Sequence, residues 1–419
     1  MDFFDVKTLD DVLKIVTQNR EKRVKIHTEW VTIDEAVGRV LASTCMSPVD
    51  LPDFNRSTVD GYAVFASEVF GACESIPSLL SLNGEVIMGD SEIPVLKSNE
   101  AIYVPTGGAV PHNADGVVMI EFTDKMDAQT LLVKHPIHVG ENITFKGDDV
   151  KVDECVFEKG RRLSVYDIGL LAGIGIPSVE VYKKIRVTVI STGDELISVD
   201  APASFGKIRD INGNALSAAL RAYGAEVNGP IHVLDNFDQL KSAYEVALLT
   251  SDCVLISGGS SVGVRDYTCE VITHFDDSEL LVHGIAVKPG KPTIVGRIGE
   301  KLVFGLPGHP SAALLLYNLV VIPYLETLVG ASMEAIKVPA ILCSRVHGAP
   351  GRDAFIMVSL EIAKDGFSYL AKPVHAKSGM ITLLSNATGY IRLSRDQEGL
   401  NEGSLVMVTL LRHEKFGGQ

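Results

Sequence analysis

Between residues 185 and 330 short apolar runs alternate with segments of helical period. "IRVTVIST" precedes "NALSAALRAYG", "EVNGPIHV" precedes "FDQLKSAYEVALL", and "DCVLISGG" precedes "DYTCEVITHF". "KLVFGLPG" leads into a long apolar segment after Pro310. Each run has the length and β-branched content of a buried strand, and each successor has the spacing of a helix. That alternation predicts a doubly wound α/β domain with a largely parallel sheet over residues 182–330. Few other architectures accommodate it.

In such a sheet ligands bind beyond the carboxyl ends of the strands. Four polar loops fall at or near those ends: "STGDEL", "SGGSSVGVRD", "KPGKP" and "GLPGHP". Ser257, Gly258, Gly259, Ser260, Ser261 and Gly263 offer hydroxyls and uncluttered backbone N–H groups, which suit a phosphate or another oxyanion. Lys288 and Lys291 supply matching charge, and Asp194, Glu195, Asp235 and Asp266 supply hard oxygens for Mg²⁺. Pro307 and Pro310 frame His309 in the last loop. Each loop alone also reads as an ordinary turn, cap or solvated lysine pair. "GGSSVG" lacks the Lys-Ser/Thr of a P-loop, and no GxGxxG follows a strand. A shared sheet edge is what would turn four turns into one site.

The rest of the chain has a different texture. Thr8 with Asp11, and Thr32 with Glu35, form capping-box patterns ahead of helical spacing at Leu9, Val12, Leu13 and Val16, and at Ile33, Ala36, Val37, Val40 and Leu41. Residues 45–145 alternate short strands with Gly/Pro turns, and residues 161–182 return to a helix capped by Ser164, then to a strand. The economical division is a helical/mixed domain (1–44 plus 146–181) interrupted by a β-rich domain (45–145), then the α/β domain (182–330). A C-terminal β domain without helices follows (331–419). Two polar loops in the β-rich domain, "LPDFNRSTVDGYAV" around Asp60 and "VPTGGAVPHNADGVVMIE" around Thr106, are unexplained by the α/β domain unless they face its site across a subunit interface.

A formal charge of −15 argues against nucleic-acid binding. The acidic, amphipathic start lacks the features of a signal peptide. "AALLLYNLVVIPYL" carries Asn318 and Pro323 and is expected to be a buried helix too short for a membrane span. Six scattered cysteines without a CxxC pair fit neither a zinc site nor a disulfide framework, and suit a reducing cytoplasm.

"STVDGYAV", "PTGGAVPHNADGVVMIE", "KGDDV", "STGDEL", "SGGSSVGVRDY", "KPGKP" and "GLPGHPSA" stand in the order and at the spacing of one family. Through them the chain resembles the molybdopterin molybdotransferases, the MoeA proteins and the E domain of gephyrin, over essentially its whole length. The resemblance implies an elongated homodimer of four-domain subunits with a dimerising mixed domain, a molybdopterin-binding α/β domain and a barrel-like C-terminal domain. It implies insertion of molybdate, or tungstate, into adenylylated molybdopterin with Mg²⁺-dependent release of AMP. A molybdopterin adenylyltransferase would act upstream, and molybdoenzymes or cofactor carriers downstream.

By motif position the resemblance assigns catalysis to Asp266, Glu195 and Asp60, and metal binding to Asp194, Glu195, Asp266 and Asp149. It assigns substrate binding to Thr106, Asp235, the Ser257–Gly263 loop, Lys288, Lys291, Pro307 and Pro310. Arg352 and Ser378 are its candidate oxyanion contacts. His309 stands where many members have Asn, and "KSGMITLLSNATGYIRL" follows the family only loosely. The alternatives are an adenylyltransferase, which would consume ATP without molybdate, and a non-catalytic scaffold of the gephyrin type. A tetrahedral oxyanion calls for N–H, hydroxyl and lysine donors, so the absence of Cys or His metal ligands is no objection.

Overall fold

The computed structural model describes residues 6–18, 23–202, 204–258, 267–331, 335–374 and 381–411. Its centre is a six-stranded sheet of β1 (Arg186–Thr192), β2 (Glu226–Val233), β3 (Cys253–Ser257), β4 (Ser278–His283), β5 (Ile294–Ile298) and β6 (Lys301–Leu306). The order is β2-β1-β3-β6-β5-β4. The first four strands are parallel, and β5 and β4 close one side antiparallel. The alternation within β1 and β3 explains the two-sided burial. Val187, Val189, Cys253 and Leu255 enter one core, with Leu216 and Leu220 of α1 (Ile211–Tyr223) and the helical run after Pro310. Ile190, Val254 and Ile256 enter the other, with Leu240 and Tyr244 of α2 (Phe237–Thr250) and Val271 and Ile272 of α3 (Tyr267–His274). Truncating any of these buried aliphatic chains to Ala would cost about 2–5 kcal/mol.

The last helical run, α4 (Pro310–Leu328), contains one π-helical stretch at Tyr317–Val321. At 19 residues it is long and apolar enough to cross a membrane, contrary to the expectation from its sequence. The expectation of burial holds: Ala313, Leu315, Leu316, Val320 and Leu325 are fully covered inside the first α/β core.

Thr8 caps the helix Leu9–Gln18, its Oγ accepting the Asp11 N–H at 3.2 Å. Leu9, Val12 and Val16 bury into the α/β core instead of the mixed domain. The helix expected after Thr32 does not form. Thr32 is held in a ribbon opposite Ser178, only a 3₁₀ turn follows at Ile33–Glu35, and Gly38 breaks any continuation at φ +78°. Val40 and Leu41 instead bridge to Arg162 and Val181. One core joins the two separated stretches: Ala36 and Leu41 pack with Phe157, Leu163, Leu171, Val179 and Val181. The helix Val165–Gly173 in it begins with a reciprocal Ser164–Asp167 capping box.

The β-rich segment between them forms its own six-stranded sheet, from Gly61–Val64 to Thr130–Val133. At the C-terminus five strands close into a barrel, because Asp353–Ile362 pairs with both Tyr369–Pro373 and Gly389–Leu393. A short helix at Thr382–Asn386 corrects the expectation of a helix-free domain. Val287–Lys288 leaves the α/β domain to pair with Asp353 and Ala354 of this barrel.

Candidate active site

The carboxyl ends of β1, β3 and β6 converge on a cleft of about 630 Å³. Register places the loops together: Ser191 lies opposite Ser257, Ser257 opposite Leu306, and Gly305 opposite Ile294, where the "KPGKP" connection ends. Thr192 and Glu195 form one wall, Ser257 and Gly258 the floor, and Pro292, Pro307, Gly308, His309 and Pro310 the other side. Gly258 has φ +103°, and a side-chain carbon there would overlap the Thr192 carbonyl. Only glycine lets β3 leave the sheet this close to β1. At the start of α4 no side chain caps the N-terminus; Pro310 carries no N–H and the Ala312 and Ala313 N–H groups donate to the His309 carbonyl at 3.0 Å, so the helix start offers an anion its positive dipole end and not a row of free donors.

The acidic residues separate into those at this edge and those away from it. Thr192 Oγ1 donates to Asp235 Oδ1 at 2.6 Å, and the Asp235 N–H donates to Asp194 Oδ1 at 3.1 Å. The Glu195 carboxylate folds back over Gly193, and Glu195 is one of the residues that line the cleft. Asp60 accepts the Thr106 N–H at 2.8 Å, so the two orphan loops of the β-rich domain meet each other but line no part of the cleft. Asp149 is exposed beside Leu51 and does not join Asp194 and Glu195 within the chain. Among the described residues no three His, Cys, Asp or Glu side chains form a metal-binding group. The expected metal set of Asp194, Glu195, Asp266 and Asp149 includes Asp266, which lies outside the described residues.

Lys288 and Lys291 are exposed on the loop that ends at Pro292, outside the cleft wall itself. Val287 pairs opposite Asp353 and Lys288 opposite Ala354 in parallel register, so Arg352 falls level with Ala286, just before the lysine loop begins. Gly259, Ser260, Ser261, Gly263, Asp266 and Ser378 lie outside the described residues.

Residues not singled out by sequence complete the wall. Leu196, Ile208 and Arg209 form a small flap of paired strands, Leu196–Ile197 with Ile208–Arg209. Asp210 caps α1 by accepting the Gly213 N–H at 2.8 Å, and Asn212 reaches across to β3. The helical spacing predicts this helix from Asn214, whereas it starts at Ile211. The usable signal was Asp210, a favoured N-cap type three residues before Gly213.

Three family models match: the MoeA N-terminal region (domain I and II) over residues 7–175, the "Probable molybdopterin binding domain" over 188–327, and the MoeA C-terminal region (domain IV) over 339–411. A protein of Methanocaldococcus jannaschii named for molybdopterin biosynthesis is 34% identical over 391 residues, 91% of this chain and 92% of that protein. The molybdopterin molybdenumtransferase of Haemophilus influenzae is 30% identical, covering 92% of this chain and 94% of its own. Among solved structures, the molybdopterin biosynthesis MoeA protein of Pyrococcus horikoshii OT3 superposes with a TM-score of 0.83 at 32% identity, covering 97% of this chain and 100% of that one. The chain belongs to the MoeA family, several of whose relatives carry the name molybdopterin molybdenumtransferase.

Proposed function

We propose that the protein inserts molybdate, or tungstate, into adenylylated molybdopterin and releases AMP in the cytoplasm. The observation that carries this reading is the cleft at the carboxyl edge, where Gly258, Pro310 at the start of α4 and Glu195 line one space. Backbone N–H groups and the helix start hold phosphates without a charged side chain. Lys288, on the strand laid against the barrel, and Arg352, just before the barrel strand it pairs with, offer charge to a tetrahedral oxyanion. Glu195 is the carboxylate placed to orient an attacking oxygen at the adenylyl phosphorus.

The oxygen donors of Asp194 and Glu195 fit Mg²⁺, which commonly takes one or two carboxylates plus substrate phosphates and needs no all-protein cage. Bound there with Asp266, it would neutralise charge on the phosphate oxygens. Asp60, Thr106 and Asp149 are assigned to a second copy's cleft in a homodimer. The adenylylated substrate calls for an adenylyltransferase upstream, and the product for molybdoenzymes or cofactor carriers downstream.

The test incubates the protein with adenylylated molybdopterin, Mg²⁺ and either oxyanion, and follows AMP. Oxyanion-stimulated AMP release is expected. Consumption of ATP without AMP release from the adenylylated pterin would instead identify an adenylyltransferase.

A further inference from the structure

His232 stands at the carboxyl end of β2, opposite Ser191 of β1. Its Nε2 lies 2.9 Å from Asp210 Oδ2. Asp210 is only 3% exposed, and its partners are few and specific. Oδ1 accepts the Gly213 N–H at 2.8 Å, and the carbonyl accepts Asn214 Nδ2 at 2.7 Å. An ionised carboxylate only accepts, so the His232 nitrogen facing it carries the proton. Without His232 one buried oxygen would lose its protein donor, which is costly unless water replaces it.

Asp210 also joins the separate pieces of the cleft wall. Its own N–H donates to the Ile197 carbonyl at 3.1 Å, and the Ile208 N–H donates to the Glu195 carbonyl at 2.8 Å. The flap is therefore tied to Glu195 at one end and to Asp210 at the other. Two residues further on, Asn212 reaches Ser257. Beneath them the fit is tight: a side-chain carbon on Gly213 would overlap both Asp210 Oδ2 and Ser191 Oγ. Tight packing transmits a shift at Asp210 to the flap and to the first turn of α1.

We infer that His232 is a positioning residue for the cleft, fixing through Asp210 the flap beside Glu195 and the turn that carries Asn212. It presupposes the reaction proposed above only for its effect on turnover. The His232 side chain is 35% exposed, so water can enter when it is removed and the fold survives. Water supplies a hydrogen bond but no fixed direction from β2.

Three variants separate positioning from packing. His232→Gln can place its amide nitrogen near the position of Nε2, whereas His232→Asn is too short and His232→Ala removes the donor. Two readouts are taken: amide hydrogen exchange over residues 195–213 without ligand, and KM against kcat for AMP release. Ala and Asn are expected to raise exchange in that segment, and KM for the adenylylated pterin, by about tenfold, with kcat changed by less than about twofold. Gln should return both towards the wild-type values. Wild-type exchange and KM in His232→Ala would overturn the role. So would equal changes in Ala, Asn and Gln accompanied by a common loss of melting temperature. Exchange is read without substrate, so a wild-type protein that releases no AMP would sink the proposed reaction while exchange still decides whether His232 holds the flap.

Discussion

Asn212 Nδ2 lies 2.7 Å from Ser257 Oγ, so the first turn of α1 and the end of β3 share one side-chain bridge. The same nitrogen donates to the Gly308 carbonyl at 2.8 Å. A carbonyl can only accept, which fixes the amide orientation and leaves Oδ1 buried without a hydrogen-bond partner among the described residues. Asn212→Asp would set an acceptor against that carbonyl. A loss of about 1–3 kcal/mol is expected, the usual cost of an unpaired buried polar group, visible as a lower melting temperature. A variant melting with the wild type would show that the bridge does not hold the cleft in solution.

Glu195 contributes its carbonyl to the flap and its carboxylate to the cleft. Glu195→Gln keeps the first and removes the charge of the second. AMP release should slow about a hundredfold, at the low end of single-group catalytic losses. Stability should stay within about 0.5 kcal/mol, because the side chain is exposed. Near-normal turnover would reduce Glu195 to a main-chain strut.

Asp60 holds the Thr106 N–H as any turn carboxylate could, and neither residue lines the cleft of its own chain. If a second copy supplies them, two inactive variants should complement each other. Asp60→Asn retains the acceptor, so it tests charge without unmaking the turn. Mixed with Glu195→Gln in equal amounts and allowed to exchange subunits, it should recover about a quarter of wild-type activity: half the dimers are mixed, each with one intact site of two. No recovery after verified exchange would place both residues in independent roles.

What was legible in the sequence follows from the range of the interactions. Thr8 and Ser164 announce their helices because a capping bond spans three residues. Four parallel strands and their helices are visible through local periodicity. The helix expected after Thr32 fails because its spacing is local while the ribbon to Ser178 is not. The antiparallel strands Ser278–His283 and Ile294–Ile298 also escaped, their alternation being weaker than the turn signals between them. In the cleft, glycines and acids beside strand ends stand out as types. Asn212 does not, because its partners Ser257 and Gly308 are 45 and 96 residues away.

Asp167 gives the mixed domain a pH dependence. Burial opposes its charge, but Arg161, at 2.8 and 3.1 Å, and the Ser164 N–H and hydroxyl prevail and hold the carboxyl below its usual range. The folded form thus binds this proton more weakly than the unfolded chain. Its stabilisation is full above the unfolded value of about 3.9 and is lost as pH falls from there through the folded value. Asp167→Asn should melt lower at neutral pH and lose less on acidification, so the two curves converge in acid. Parallel curves would remove Asp167 from the acid response.

Lys288 provides the sharpest separation between support and chemistry. Its backbone belongs to the short strand Val287–Lys288 laid against the barrel, so the strand needs no particular side chain at this position. The ammonium is exposed, on a strand paired with Asp353 and Ala354 of the barrel, in a protein whose net charge is −15. A solvated lysine contributes within about 0.5 kcal/mol to stability, and Lys288→Ala should therefore melt almost normally. If the loop receives the oxyanion, loss of one charge-assisted contact should raise the molybdate concentration for half-maximal AMP release by about tenfold or more. The KM for the adenylylated pterin should change much less. Lys288→Arg keeps the charge but not the shape, and should fall between the two. An Ala variant with unchanged molybdate dependence would assign the lysine to solvent and move the oxyanion site away from the seam between the α/β domain and the barrel.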